Sequence, residues 1–427
     1  MLCLATLCIA AATGRSDAAS GPRATPASST PSASDRAIGD AQARLAKNPA
    51  DASAEKALAA GFLQKVREVA DPAYYTLADK VLAKLGGVKS KDPEVLLLEG
   101  TLLLARHQFS AALTVGKLAA AALPSNPSAQ GILVDAYNEL GRFDESLVAT
   151  QRMADQRPGL AALSRVSYAR EIRGDSDGAI EAMQQAVTAG QGRGENVAYV
   201  QTLLGDLLLK RGDVAEASMT YAAALRSFPG LAGALAGEAS VLYARGRPAE
   251  AAARMAEVVA RQPLLQYVIA EGDYYAAAKM AGPSRDAYAL VDAIIALSRA
   301  NGVDIDLEVA LYRADHNLTP ALLASTRRAL TARPGLTGHD SLAWVLHRLG
   351  QDREAKSEIA KVIAMGDRDP IYRFHAAAIA LGAGDRALAK AQLDVLLQGN
   401  TRVAGIRPAE LAALAAALGR TLPPPAP

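Results

Sequence analysis

The chain has 427 residues, half of them apolar but only 4% aromatic, and 46 basic against 44 acidic side chains give a formal charge of +2. That balance argues against a nucleic-acid or anionic-membrane footprint, and the absence of Val-, Ile-, Thr- and aromatic-rich runs argues against a sheet-built core. The length calls for two or three ordinary domains unless short units stack on their neighbours.

Met1 to Ala12, MLCLATLCIAAA, is an apolar run too short to span a bilayer, which needs about 20 residues. Its length suits the core of a secretory signal, with Ala10–Ala12 and Ala18–Ala19 as small-residue cleavage sites, although no Lys or Arg precedes it. Residues 1–19 therefore read as a signal-like segment, and export to the periplasm, envelope or medium is expected over a cytoplasmic location. Cys3 and Cys8 both fall in this segment, so cleavage leaves no cysteine. Residues 20–35 are rich in Ser, Ala, Thr and Pro without periodicity and read as a disordered linker.

Arg36 to Asn48 reads as a helix, followed by helices at about Ala52–Val69 and Tyr74–Leu85 around Asp71-Pro72. From there a single pattern recurs. Its clearest copy is Thr202 to Pro229, where Leu204, Leu207 and Leu208 repeat at helical spacing before Gly212, and Ala217, Tyr221 and Ala224 after it. Gly212 suits a left-handed helix stop, Asp213 an N-cap, and Pro229 a terminator. Equivalent turns fall at His107, Gly141, Gly174, Gly212, Gly246, Gly282, His316, Gly350 and Gly384, at intervals of 34, 33, 38, 34, 36, 34, 34 and 34 residues. The longest interval holds the glycine-rich connection Gly190–Gly194. Five residues after each turn stands a small side chain: Ala112, Ser146, Ala179, Ala217, Ala251, Ala287, Ala321, Ala355 and Ala389. Such a phase predicts close helix crossings. Pro124, Pro158, Pro229 and Pro263 stand seventeen residues after four of the turns. Ile406 to Leu418 reads as a helix covering the last unit, and Pro423–Pro425 as a frayed tail.

Two-helix units of about 34 residues, with small residues at the crossing and a terminal proline, resemble tetratricopeptide repeats. The chain is similar to bacterial multi-repeat proteins of that family over nearly all its length after the first 35 or so residues. Asp71-Pro72-Ala73-Tyr74-Tyr75, Ala310–His316 and Ala343-Trp344 resemble a narrower bacterial group within it. The resemblance implies an all-α fold, a right-handed superhelical α-solenoid of stacked helix-turn-helix repeats. About ten repeats would fill residues 36–400, with a capping helix and Pro-rich tail over 401–427.

The resemblance further implies that the first helix of each pair lines an inner groove, through the residues two, three and six before each turn. These include Asp135, Asn138, Tyr168, Glu171, Asp206, Lys210, Tyr243, Lys279, Met280, Arg313, Trp344 and His347. Trp344, the single tryptophan, is the leading contact candidate, because large, stiff aromatic side chains dominate binding hot spots. The expected function is a non-enzymatic scaffold that binds a protein or peptide partner. The alternative is an accessory subunit of an envelope polysaccharide or secretion system, which grips a membrane enzyme or a glycan. Apolar pockets between repeats would favour a peptide; an acidic and aromatic lining without apolar strips would favour a glycan.

The remaining motifs have structural readings. Two Arg-Gly-Asp triplets, Arg173–Asp175 and Arg211–Asp213, sit at the same repeat phase, where Gly stops one helix and Asp starts the next. Gly190–Gly194 follows a helix, not the strand that a phosphate-binding loop requires. His107, His316, His339, His347 and His375 lack metal-ligand spacing, and no Gly-x-Ser-x-Gly elbow or Walker loop occurs. No catalytic residue, cofactor, metal or nucleic acid is expected, and membrane contact only through an uncleaved N-terminal segment.

Overall fold

A computed structural model describes residues 32–192 and 194–427, so the signal-like segment, its two cysteines and the start of the linker lie outside the described residues. All regular structure among them is helical. The described residues divide into two compact units, one running from residue 32 to 135 with 301–303, the other of 136–300 with 304–427.

The first unit begins with α1 (Ala33–Lys47), α2 (Ala52–Val69), α3 (Ala73–Lys84), α4 (Pro93–Ala105) and α5 (Phe109–Ala122). The start of α1 corrects the expected linker boundary. Ser32 accepts from the Asp35 amide while the Asp35 carboxylate takes the Ser32 amide, a capping box that extends the helix three residues toward the N-terminus. Leu58, Phe62, Leu63, Ala78, Val81 and Leu82 build the core of α1–α4. Next comes α6 (Pro127–Glu139), through which the boundary between the units runs. Its Ile132 fills space that a Cβ on Gly100 or Gly116 would invade at 2.7 Å, so α4, α5 and α6 meet over glycine.

The second unit continues with α7 (Phe143–Gln156), α8 (Leu160–Glu171), α9 (Ser176–Ala189), α10 (Glu195–Arg211), α11 (Val214–Ser227), α12 (Ala232–Ala244), α13 (Pro248–Val259), α14 (Leu265–Ala277) and α15 (Ala281–Ala300). After it follow α16 (Asp306–His316), α17 (Pro320–Ala332), α18 (Leu336–Arg348), α19 (Asp352–Ile363), α20 (Pro370–Gly382), α21 (Arg386–Leu396) and α22 (Pro408–Ala417). Successive helices pair through tight turns whose key residue adopts the left-handed conformation: Gly141, Gly174, Gly212, Gly246, Gly350 and Gly384 have φ between 67° and 101°. Glycine reaches this region without the Cβ penalty that other residues meet. Ala179, Ala217, Ala251, Ala355 and Ala389 are fully buried and Ser146 nearly so, as close helix packing requires. The helix α22 covers the last pair, burying Leu411, Leu414 and Leu418 against a cluster that includes Phe374, Leu393 and Leu396.

Two repeats depart from the expected phase. Gly282 lies inside α15, and the turn is made three residues earlier by Lys279, with φ 60°. The misleading signal was Gly282-Pro283, which fits the first turn of a helix as well as it fits a loop. Ser284, not Ala287, then takes the crossing position, and its hydroxyl donates to the Gly272 carbonyl at 3.0 Å. At His316 no left-handed residue occurs; the chain passes through Asn317–Thr319, Ala321 is exposed, and Leu322 points inward instead. Asp213 also differs from expectation: its side chain makes no cap hydrogen bond and pairs instead with Arg211.

A stacked ribbon of helix pairs has two edges, one formed by the turns within pairs and the other by the loops between pairs. In the second unit these edges meet. The Gly141 turn abuts Pro334-Gly335, the Gly174 turn abuts Gly366, and the Gly212 turn abuts Gly399-Asn400. The Gly246 turn abuts Pro425, and the amide of Ala426 donates to the Ala244 carbonyl at 3.2 Å, so the Pro-rich tail is seated and not frayed. Each contact joins segments about 190 residues apart. Backbone lies against backbone: a Cβ on Gly174 would come within 2.6 Å of the Gly366 carbonyl, and one on Gly399 within 2.6 Å of the Lys210 carbonyl. Only glycine permits that approach.

Candidate functional site

Consecutive first helices of the second unit, such as α8 with α10, α10 with α12, α16 with α18 and α18 with α20, pack more closely than consecutive second helices do. The first helices therefore line the concave side, because a curved stack crowds its inner members. Exposed large apolar side chains such as Leu118, Val148, Met219, Leu290 and Leu297 all lie on second helices, and the others lie on second helices, turns or loops; among the described residues no first helix carries one.

The expected groove residues divide into two groups. Glu171, Asp206, Lys210, Tyr168, Arg313 and His347 are partly accessible. Asn138, Tyr243 and Trp344 are buried, and so is Asp135 in the first unit. Trp344 is 1% exposed and belongs to the core. Its indole N–H donates to Asp315 Oδ1 at 3.1 Å, its ring stacks on His375 at 4.0 Å, and Arg348 lies over it at 5.4 Å. His347 packs beside the same ring and pairs through Nδ1 with Asp352 at 2.5 Å. Trp344 is thus a packing residue and does not present itself to a partner. Lys279 serves as a turn, so it and Met280 are not groove positions.

The phase shift at Lys279 hid a repeated motif. Tyr221 donates its hydroxyl to Asp206 at 2.7 Å, and Tyr288 donates to Asp273 at 2.6 Å. Both pairs are fifteen residues apart, and in both the acid follows a glycine. Those glycines, Gly205 and Gly272, provide the space for the tyrosine rings. The Gly-Asp dipeptide with Tyr fifteen residues on was the signal that could have found Asp273. Burial pushes each aspartate up to about 6, against the lowering effect of its tyrosine hydrogen bond. Asp273 also accepts from the Gly405 amide at 2.8 Å.

A second cluster centres on Lys210, whose Nζ lies 2.7 Å from Glu171 and 3.0 Å from Asp369. Burial pushes Asp367 up to about 7, reinforced by Glu171 and Asp369. Burial opposes ionisation of Asp369 too, but Lys210 outweighs it and holds that carboxyl below the usual range. Lys210 keeps 35% of its side-chain surface although protein surrounds it, which places it in a recess that water still reaches. His339 and His375 are held by Glu358 at 2.7 Å and Asp340 at 2.8 Å. Among the described residues no group of three or more His, Cys, Asp or Glu is placed to hold a metal ion, and no helix is long and apolar enough to cross a membrane.

The turn-and-crossing geometry defines the class. The tetratricopeptide repeat family model matches residues 97–161, 173–232 and 202–265. Across those residues the chain matches the tetratricopeptide repeat family, and its described residues form an all-α solenoid of stacked helix pairs. No curated protein matches its sequence. Among solved structures it is similar to a thermophilic tetratricopeptide repeat protein from Thermus thermophilus (21% identity, covering 40% of this chain and 91% of that one, TM-score 0.37). It is also similar to the human IFIT1 dimer with PPP-AAAA (12% identity, 85% and 94% covered, TM-score 0.46) and to yeast Tom70 (11% identity, 90% and 95% covered, TM-score 0.38).

Proposed function

We propose that this protein is a non-enzymatic scaffold that takes a protein partner on its concave face, through polar and charged contacts in place of apolar anchors. The observation that carries this reading is the lining itself. Partly accessible Tyr, Asp, Glu, Lys and Arg side chains are held there by hydrogen bonds and ion pairs, with the exposed apolar side chains confined elsewhere. Groups already fixed in place lose little entropy on binding. The test is a photo-crosslinking amino acid placed on the inner face at Tyr168 or Arg313, and on a second helix at Met219 or Val148, in cells. Capture of one protein from the inner positions alone is the expected result. Capture from the outer positions alone would overturn the concave-face reading.

The same lining favours a second reading, an accessory subunit of an envelope polysaccharide or secretion system. Acidic and tyrosine groups without apolar strips suit a glycan, and crosslinking to glycan with no protein captured would select it. The export reading rests on Met1–Ala12. N-terminal sequencing of the protein from fractionated cells is expected to find a chain beginning after Ala12 or Ala19 outside the cytoplasm; an intact Met1 in the cytosolic fraction would refute it.

A further inference from the structure

The edge-to-edge contact of the second unit is made largely of glycine backbone, which offers few atoms for dispersion attraction. Something else must hold it shut at its middle. Lys210 joins the Gly174 and Gly212 turns to the Gly366 and Gly399 loops there, while Arg333 pairs with Glu139 at 3.1 Å farther along the same contact. Its carbonyl accepts from the Asn400 amide at 3.0 Å, across the contact. Its ammonium reaches Glu171 on its own edge and Asp369 on the opposite one. Asp367, two residues before Asp369, faces the same recess, and its carboxylate accepts from the Asp369 amide at 2.8 Å. Without the lysine, an acid on one edge would confront two acids on the other, and like charges in a confined recess repel strongly. Arg373 donates to the Gly366 carbonyl at 2.8 Å and to Gln392, and its charge also acts on Asp367, so it braces the loop within one edge while Lys210 links the two edges.

We propose that Lys210, bridging Glu171 and Asp369, is the clasp of a conformational latch that keeps the solenoid of the second unit coiled edge against edge. Loss of its charge frees the Gly366 and Gly399 loops from the Gly174 and Gly212 turns while the helix pairs stay folded.

The test is hydrogen exchange and small-angle scattering on the full chain carrying Lys210→Met, which keeps the length of the side chain and removes its charge. Exchange in peptides covering 366–371 and 399–405 is expected to rise about tenfold or more, the scale of breaking a partly shielded ion pair. Peptides from 232–259 should be unchanged, helical circular dichroism preserved, and the radius of gyration increased. The triple variant Lys210→Met, Glu171→Gln, Asp369→Asn removes cation and opposing acids together and should regain most of the protection. Wild-type exchange in Lys210→Met would overturn the proposal. So would global loss of helix, because a clasp at one contact leaves the pairs folded, and so would failure of the triple variant to recover.

Discussion

Trp344→Ala is expected to destabilise the second unit by about 3–5 kcal/mol, the range for emptying a fully buried large aromatic site. The side chain is 1% exposed, and truncation leaves a void among Phe374, His375 and Arg348. It also strips Asp315 of an indole donor at 3.1 Å, and a half-buried carboxylate that loses a donor adds to the cost. Trp344→Phe should cost less, because it keeps much of the packing and loses the hydrogen bond. Chemical denaturation, read together with hydrogen exchange over α16–α21, measures both. Repeats couple mainly to their neighbours, so the loss should be greatest there. If Trp344→Ala unfolds like the wild type, the indole does not fill a core. The variant is accordingly unsuited to probing a partner, since any binding defect would follow from the lost packing.

Stability should peak near pH 4 and fall toward pH 7, and the signs follow from the buried acids. Asp206 and Asp273 are raised to about 6 and Asp367 to about 7, in each case chiefly by burial. A raised carboxyl holds its proton in the folded state, so its contribution is full below the unfolded value of about 4 and is lost as pH rises through the folded value. At 1.4 kcal/mol per unit, and discounted for the water that reaches the recess, each group contributes on the order of 1–3 kcal/mol. His316 opposes the trend. Burial, then Arg407 and Arg348, lowers it to about 4, so its contribution is present above its ordinary value of 6.5 and is lost as pH falls toward 4. One histidine against three carboxyls leaves the net slope downward from about pH 4 to 7. Below about pH 4 the surface acids held low by their partners, Asp35, Asp51, Asp92, Asp385 and Asp394, are protonated in turn and stability falls again. The paired variant Asp206→Asn, Asp273→Asn keeps an acceptor for each tyrosine hydroxyl. It should be more stable than wild type at pH 8, with a flatter profile. Melting curves across pH 4–9 decide this; a wild-type melting temperature that rises from pH 4 to 7 would sink the assignment of buried protons.

The periodic signals were legible because they are local. A glycine at a left-handed turn, an alanine at a crossing and a proline after a helix each act within one pair or between adjacent pairs, so they recur in the chain as they recur in space. Legibility failed where two local readings were equally good. Gly282-Pro283 could end one helix or begin the next, and the wrong choice displaced a whole repeat by three residues, taking Asp273 off the groove list. At His316 the reading failed by one residue, which put Ala321 in solvent and Leu322 inside.

Sequence by itself determined the helix pairs, their turns and the side of each helix that packs, because these follow from backbone sterics and spacing within about 34 residues. Tertiary structure alone decided that the edges of the second unit close on one another, that Lys210 stands where opposed acids meet, and that Trp344 is enclosed. Those outcomes depend on small rotations between repeats added over segments about 190 residues apart, a sum that no residue in the repeat encodes.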